Sequence, residues 1–373
     1  MGRKLGLIVN PIAGIGGRVG LKGSDGTDIL KRALALGAVP ESPKRTIEAL
    51  KRIKSIEKNI EIVTYPGTMG ETEAIECGFS PTVFGSINKE KTTPKDTGNA
   101  ARMMMDIEVD LLLFAGGDGT ARDILNAVGD RIAVIGIPAG VKIHSGVYAT
   151  CPANAGNLAL NFLQRGSTYH LRDVEVMDID EQAFREDRIS AKLYGYLKVP
   201  YERNLVQSAK AGSNSRDDVS LDSIASDIIF NMTDDYLYIF GPGTTTRAIM
   251  NKLKLPNTLL GIDAVFRKSL AGSDLNEAQL IELLKERKGK IVITVIGGQG
   301  HIFGRGNQQI SPEVILQVGK ENIIVVATEN KLLELKAKPL LVDTGNPKVN
   351  RMLSGYAKVV TGLHKKIAYR ISY

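Results

Sequence analysis

An apolar run that breaks on a cluster of glycines constrains this chain most: Asp110-Leu111-Leu112-Leu113-Phe114-Ala115-Gly116-Gly117-Asp118-Gly119-Thr120-Ala121-Arg122-Asp123. Consecutive apolar residues bounded by glycine read as a strand buried on both faces, as in a parallel sheet covered by helices. Ile124, Leu125 and Val128 predict a short helix over 121–128, and Thr120 with Asp123 reads as its capping box. Gly116, Gly117 and Gly119 then lie between a strand end and a helix start. Such a turn offers free backbone N–H groups and the positive end of a helix dipole, a setting that suits phosphate. Glycine also lets the backbone approach a ligand with no side chain in the way. Asp118 stands apart, because a carboxylate repels phosphate unless a cation or a proton intervenes. It is expected to take a proton from a substrate hydroxyl, or to act indirectly on Mg²⁺. The competing reading is a tight βα turn with a surface aspartate.

Two further strands run into glycine loops in the same half of the chain. Leu5–Val9 ends in Asn10-Pro11-Ile12-Ala13-Gly14-Ile15-Gly16-Gly17, where Pro11 cannot continue a central ladder. Gly14, Gly16 and Gly20 miss the dinucleotide-binding spacing by one, and the lysine of a P-loop is not in place. This loop therefore reads as phosphate-facing in another way, through Asn10, Pro11, Gly14 and Gly16. The third strand, 132–137, leads into Pro138-Ala139-Gly140-Val141-Lys142-Ile143-His144-Ser145 and a further expected helix. Gly140 and Lys142 are candidates there, with Lys142 the cation for a phosphate and His144 a structural histidine. Strands alternating with helices predict an open parallel α/β sheet whose ligand lies beyond the carboxyl ends of the strands. Thr93 and Pro94 predict the N-cap and first residue of a helix that buries methionines over 100–105. Ser42–Ile56 reads as a surface helix.

Near Asp173 the pattern changes to β-like alternation, and residues 207–223 read as a polar loop. A second α/β passage follows. Strand 236–240 runs into Gly241-Pro242-Gly243-Thr244-Thr245-Thr246, where Gly243, Thr244 and Thr245 are a candidate anion cradle. Strand 291–296 runs into a glycine-rich loop in which Gly298, Gln299, Arg305 and Asn307 suit a nucleotide base, ribose or phosphate.

A net charge of +7 fits phosphorylated small molecules and is too small to argue for nucleic acid, and tryptophan is absent, so base-stacking platforms are not expected. Two cysteines cannot make a disulfide framework or a structural zinc site, no apolar run reaches membrane-spanning length, and no signal segment opens the chain. A cytoplasmic protein with no membrane partner is expected. A homo-oligomer is compatible with the sequence.

The 114–123 stretch resembles the signature of the superfamily uniting NAD kinases, diacylglycerol and sphingosine kinases, and 6-phosphofructokinases. Residues 10–14 resemble the first-strand loop of its lipid-kinase-like members, and 138–140 their following glycine turn. Through the strings at 21–26, 138–145, 241–246 and 297–309, nearly the whole chain resembles the AcoX-like branch of the ATP-NAD kinase family. The resemblance implies a kinase with an α/β domain over 1–172, a β-rich second domain with α/β additions over 173–345, and a segment 346–373 returning to the first. It also implies ATP or polyphosphate as donor, with Mg²⁺, and NAD or another small hydroxyl metabolite as acceptor. Asp118 would activate the ribose 2′-hydroxyl, while Gly116, Gly117, Gly119 and Thr120 would hold the phosphate chain. NAD kinases also carry an Asn followed by Glu or Asp that grips the dinucleotide, and the one such pair here, Asn276-Glu277, falls at an expected helix start.

Overall fold

The strand β4 (Leu111–Gly116) is buried at every position. In the computed structural model it lies inside a five-stranded parallel sheet with β1 (Arg3–Val9), β2 (Ile60–Thr64), β3 (Thr82–Val83) and β5 (Val134–Pro138), in the order β3-β2-β1-β4-β5. The structure describes residues 2–21, 27–88, 92–141, 143–166, 169–179, 191–202, 205–207 and 218–373. β4 can be apolar throughout because helices cover both of its faces, so neither set of alternating side chains meets water. The helix Pro94–Asp106 starts as predicted: the Asp96 carboxylate accepts the Thr93 N–H at 2.7 Å, Pro94 takes the first turn, and Met104 is fully buried.

The chain divides into two compact units, one of residues 1–15, 23–34 and 39–209 and the other of 16–22, 35–38 and 210–373, as far as these are described. The ribbon of β6 (Leu171–Ile179) and β7 (Ala191–Pro200), expected to open the second domain, belongs to the first unit. It packs on the helix Asp118–Val128, with Arg122 paired to Asp178 at 2.9 Å.

The second unit holds a nine-stranded mixed sheet. It comprises β8 (Tyr236–Phe240), β9 (Asp263–Phe266), β10 (Ser269–Gly272), β11 (Lys288–Thr294), β12 (His301–Phe303), β13 (Ile323–Val326), β14 (Leu340–Val342), β15 (Gly355–Gly362) and β16 (Lys365–Ser372). The order is β10-β9-β8-β11-β13-β15-β16-β14-β12. Its central strands feed two cores by alternation: Leu237, Ile239, Ile291 and Ile293 face one, Tyr238, Phe240 and Val292 the other.

Three expectations are corrected here. The C-terminal segment does not return to the first domain. β15 pairs with β13 in parallel and β16 with β14, so residues 355–372 satisfy their backbone groups inside the second sheet. The expected helix after β5 is absent among the described residues until Pro152–Arg165, and residues 143–151 form an irregular loop held by bridges Gly136↔Tyr148 and Ala149↔Val206. Within the expected 207–223 loop, residues from Asp218 begin the helix Asp218–Phe230, and 208–217 lie outside the described residues. No helix among the described residues is long and apolar enough to cross a membrane.

Candidate active site

Parallel pairing of β1, β4 and β5 brings their carboxyl ends side by side, so the three glycine loops of the first unit meet. Asn10 Nδ2 donates to Thr120 Oγ1 at 2.9 Å, and Asn10 N donates to Ala115 O at 3.0 Å. Ala139 N and Gly140 N both donate to Gly116 O at 2.9 Å. Gly14 has φ +81°, and a Cβ there would lie 2.0 Å from Ala139 O, so only glycine allows this approach. Pro11 is half-buried beside it. Thus Asn10, Pro11, Gly14, Gly116, Gly117, Asp118, Gly119, Thr120 and Gly140 gather at one edge. Gly16 falls with the second unit, where its carbonyl accepts Leu21 N at 2.9 Å. Lys142 lies outside the described residues.

The helix after β4 starts three residues earlier than predicted, at Asp118, with Gly117 as its N-cap and no side-chain capping bond. Thr120 lies inside the first turn and so cannot cap this helix; its hydroxyl accepts from Asn10 and its side chain fills the space beside Gly116. Starting at 118 turns Gly119 outward within the first helical turn. Its φ is in the ordinary range, and a Cβ there would meet nothing within 4 Å. Glycine is costly in a helix, so neither packing nor conformation accounts for it.

Asp118 does not face outward. Its side chain is 1% exposed, and its two oxygens accept four donors from the loop after β5. Oδ2 takes His144 N at 2.7 Å and His144 Nδ1 at 3.0 Å; Oδ1 takes Ser145 N at 3.0 Å and Ser145 Oγ at 2.8 Å. An ionised carboxylate has about four lone-pair sites; three are met by His144 N, His144 Nδ1 and Ser145 N, and the single Ser145 hydroxyl proton is shared between Asp118 Oδ1 and Met177 O, each at 2.8 Å. No group of three His, Cys, Asp or Glu side chains that could hold a metal occurs among the described residues. Sequence reading took His144 for a structural histidine and passed over Ser145 as a partner of Asp118. They close on Asp118 across 26 and 27 positions, a contact for which no local pattern exists. The loop is anchored in turn: Gln207 Nε2 donates to Ser145 O at 2.7 Å, Met177 N to Ser145 Oγ at 3.0 Å, and Gly146 N to Glu175 O at 2.9 Å.

The second unit's candidates are built into their own surroundings. Gly243 is the N-cap of the helix Thr244–Lys252, Thr244 is half-buried, and Thr245 Oγ1 accepts from Lys331 Nζ at 2.9 Å. Lys331, missed in the sequence, also reaches Thr294 Oγ1 at 3.4 Å. Gly298 carries φ +74° beside the buried Gln299. Arg305, expected to meet a ligand, is 4% exposed and paired with the buried Asp343 at 2.7 Å. Asn307 clamps its own loop, accepting from Gly304 N and donating to Ile302 O, both at 2.9 Å. Asn276 caps the helix Glu277–Lys285 through Gln279 N at 3.0 Å, and Glu277 N donates to Arg18 O at 3.0 Å.

Family models match both halves: an ATP-NAD kinase N-terminal domain over residues 5–167 and an ATP-NAD kinase C-terminal domain over 233–371. No curated protein matches the sequence. Among solved structures, a diacylglycerol kinase from Bacillus anthracis str. Sterne is 16% identical over 48% of this chain and 47% of its own, with a TM-score of 0.26. A UDP-N-acetylglucosamine 2-epimerase is 12% identical over 94% of this chain and 89% of its own, with a TM-score of 0.27. This chain therefore spans under half the length of the diacylglycerol kinase, and likeness of this degree speaks to neither substrate nor site.

Proposed function

We propose, from the premise that this chain belongs to the ATP-NAD kinase family, that it transfers the terminal phosphoryl group of ATP to a hydroxyl, with the 2′-hydroxyl of NAD as the first acceptor to test. The observation that carries the reading is the open space beside Gly119, at the start of an eleven-residue helix and at the meeting point of three strand-exit loops. Backbone N–H groups at a helix start, with no side chain over them, favour an anionic group there. Gly117, Gly119 and Thr120 would hold the phosphate chain. Asn10, Gly14, Gly116 and Gly140 shape the loops around it without needing to touch it.

Phosphoryl transfer depends mainly on positioning and on charge neutralisation. The hydrogen-bonded Asp118 supports a division of labour in which the protein positions the phosphates and the divalent cation arrives with the nucleotide. Mg²⁺ commonly keeps several waters and is held largely by phosphates, which suits a site whose carboxylate is already hydrogen-bonded.

A second acceptor class has one observation in its favour. The Asn276-Glu277 pair, the counterpart by composition of the dinucleotide grip, is spent on a helix cap. That favours a hydroxyl metabolite other than NAD, as expected for an AcoX-like branch. The test is ADP release from ATP and Mg²⁺ with NAD and with a panel of small alcohols and sugars. Release that depends on one acceptor supports the kinase reading and names the substrate. Calorimetric binding of ATP with no ADP from any acceptor would replace it with a nucleotide sensor.

A further inference from the structure

A helix start binds an anion well when the peptide that opens it is held still, and one buried side chain reaches that peptide. Tyr148 is fully buried, and its hydroxyl donates to the carbonyl of Gly117, the N-cap of the helix Asp118–Val128. The same carbonyl accepts Ala121 N at 3.1 Å, which closes the first turn. Two donors therefore fix the plane of the Gly117–Asp118 peptide, which is trans. In a trans peptide the N–H points opposite to the C=O. A carbonyl turned into the helix thus sends the Asp118 N–H out of its start, where the helix itself offers no acceptor.

We propose that Tyr148 is a positioning residue for the nucleotide's phosphates, acting through the Gly117–Asp118 peptide. The inference rests on the phosphotransferase reading above and adds to it a residue, outside the helix, that sets how tightly the helix start binds. Hydrogen bonds in series polarise one another, so a donor on the Gly117 carbonyl makes the Asp118 N–H a stronger donor to phosphate. It also keeps that N–H aimed before the ligand arrives, which lowers the cost of ordering the site on binding.

The packing around the ring is arranged for this reach. The strand β5 carries no side chain at Gly136, where a Cβ would lie 2.5 Å from Tyr148 Cδ1. The ring meets Phe114 of β4 edge-on, with 5.6 Å between centroids. Its backbone is pinned on both sides, since Ala149 N donates to Gly136 O and Gln207 N to Tyr148 O, each at 3.0 Å. Phenylalanine would fill the same space, but only the hydroxyl reaches Gly117. Residues 144–148 therefore grip the helix start twice, at Asp118 through His144 and Ser145 and at Gly117 through Tyr148.

The test is calorimetric titration of the full chain with ATP and Mg²⁺, comparing Tyr148→Phe with the unaltered protein. Calorimetry reports the Kd and the fraction of binding-competent molecules separately, and a hydroxyl that only held the fold together would lower the second without moving the first. Tyr148→Phe is expected to raise the Kd for ATP about two- to fivefold at unchanged stoichiometry, from the weakening of one charge-assisted bond. In turnover the KM for ATP should rise in step with kcat little changed. Gly136→Ala, which keeps the hydroxyl but crowds the ring off its course, should raise the Kd in the same way. A folded Tyr148→Phe with the Kd of the unaltered protein overturns the positioning role, as does a loss of stoichiometry at unchanged Kd in both variants. No binding of ATP by the unaltered protein overturns the kinase reading beneath it.

Discussion

Replacing Asp118 by asparagine has a cost that can be worked out from the four donors around it. An amide offers one oxygen with two lone pairs, and an NH₂ that only donates. With the oxygen toward Ser145, the NH₂ faces His144: the ring can accept by moving its proton to Nε2, but the His144 backbone N–H, 2.7 Å from its acceptor, is left facing a donor. With the amide turned round, Ser145 Oγ can accept and give its proton to Met177 O, but Ser145 N–H is stranded instead. Either way one buried N–H loses its partner, at about 1–3 kcal/mol. That corresponds to local opening at residues 144–146 that is about 5–150-fold more frequent. The assay is amide hydrogen exchange of Asp118→Asn against the unaltered protein. A carboxylate facing substrate would lose activity on amide substitution with no change in exchange. Unaltered exchange at 144–146 would therefore refute the buried, four-donor Asp118.

Other outcomes follow from single contacts. Gly119→Ala should raise helix stability by up to about 1 kcal/mol in urea unfolding, since its Cβ meets nothing, and should weaken ATP binding about tenfold in calorimetry; equal or tighter binding would empty the proposed cradle. Gly14→Ala should cost more than about 2 kcal/mol, from left-handed backbone strain and from a Cβ 2.0 Å from Ala139 O, and a melting temperature close to that of the unaltered protein would contradict the loop geometry. Glu73 is buried with Oε2 unpaired; burial, helped by the Glu76 charge and opposed by backbone N–H groups, raises its carboxyl from 4.5 to about 7. The native state thus holds a proton that the unfolded chain releases first. The stability this confers is complete below pH 4.5, is lost as pH rises to 7, and amounts to about 3 kcal/mol. Glu73→Gln should flatten that slope in urea unfolding across pH 5 to 8.

Much of the site's framework was legible because it is local. The apolar 111–115 run, the Thr93-Pro94-Asp96 start and the alternation in 236–240 each state a strand or a cap within a few residues. The glycine loops could be read as loops, and parallel pairing was enough to expect their meeting. What escaped depends on distant partners. Nothing around Asp118 announces that His144 and Ser145 will hydrogen-bond to it, and nothing around Arg305 announces Asp343. Thr120 was read as a cap because its hydroxyl suits that role, but the helix starts at Asp118, and its hydroxyl accepts instead from Asn10, 110 positions away. The C-terminal strands misled for a similar reason: an apolar strand declares that it will join a sheet, and the unpaired edge available decides which one.

The claim beneath all of this is that a nucleotide's phosphates sit on the bare start of the helix Asp118–Val128. Hydrogen exchange with and without saturating ATP and Mg²⁺ tests it most directly, because bound phosphate oxygens should slow the amides they engage. Protection centred on residues 117–120, extending to 10–14 and 139–140, is the predicted result. Binding detected by calorimetry with those amides exchanging at their ligand-free rates would contradict it.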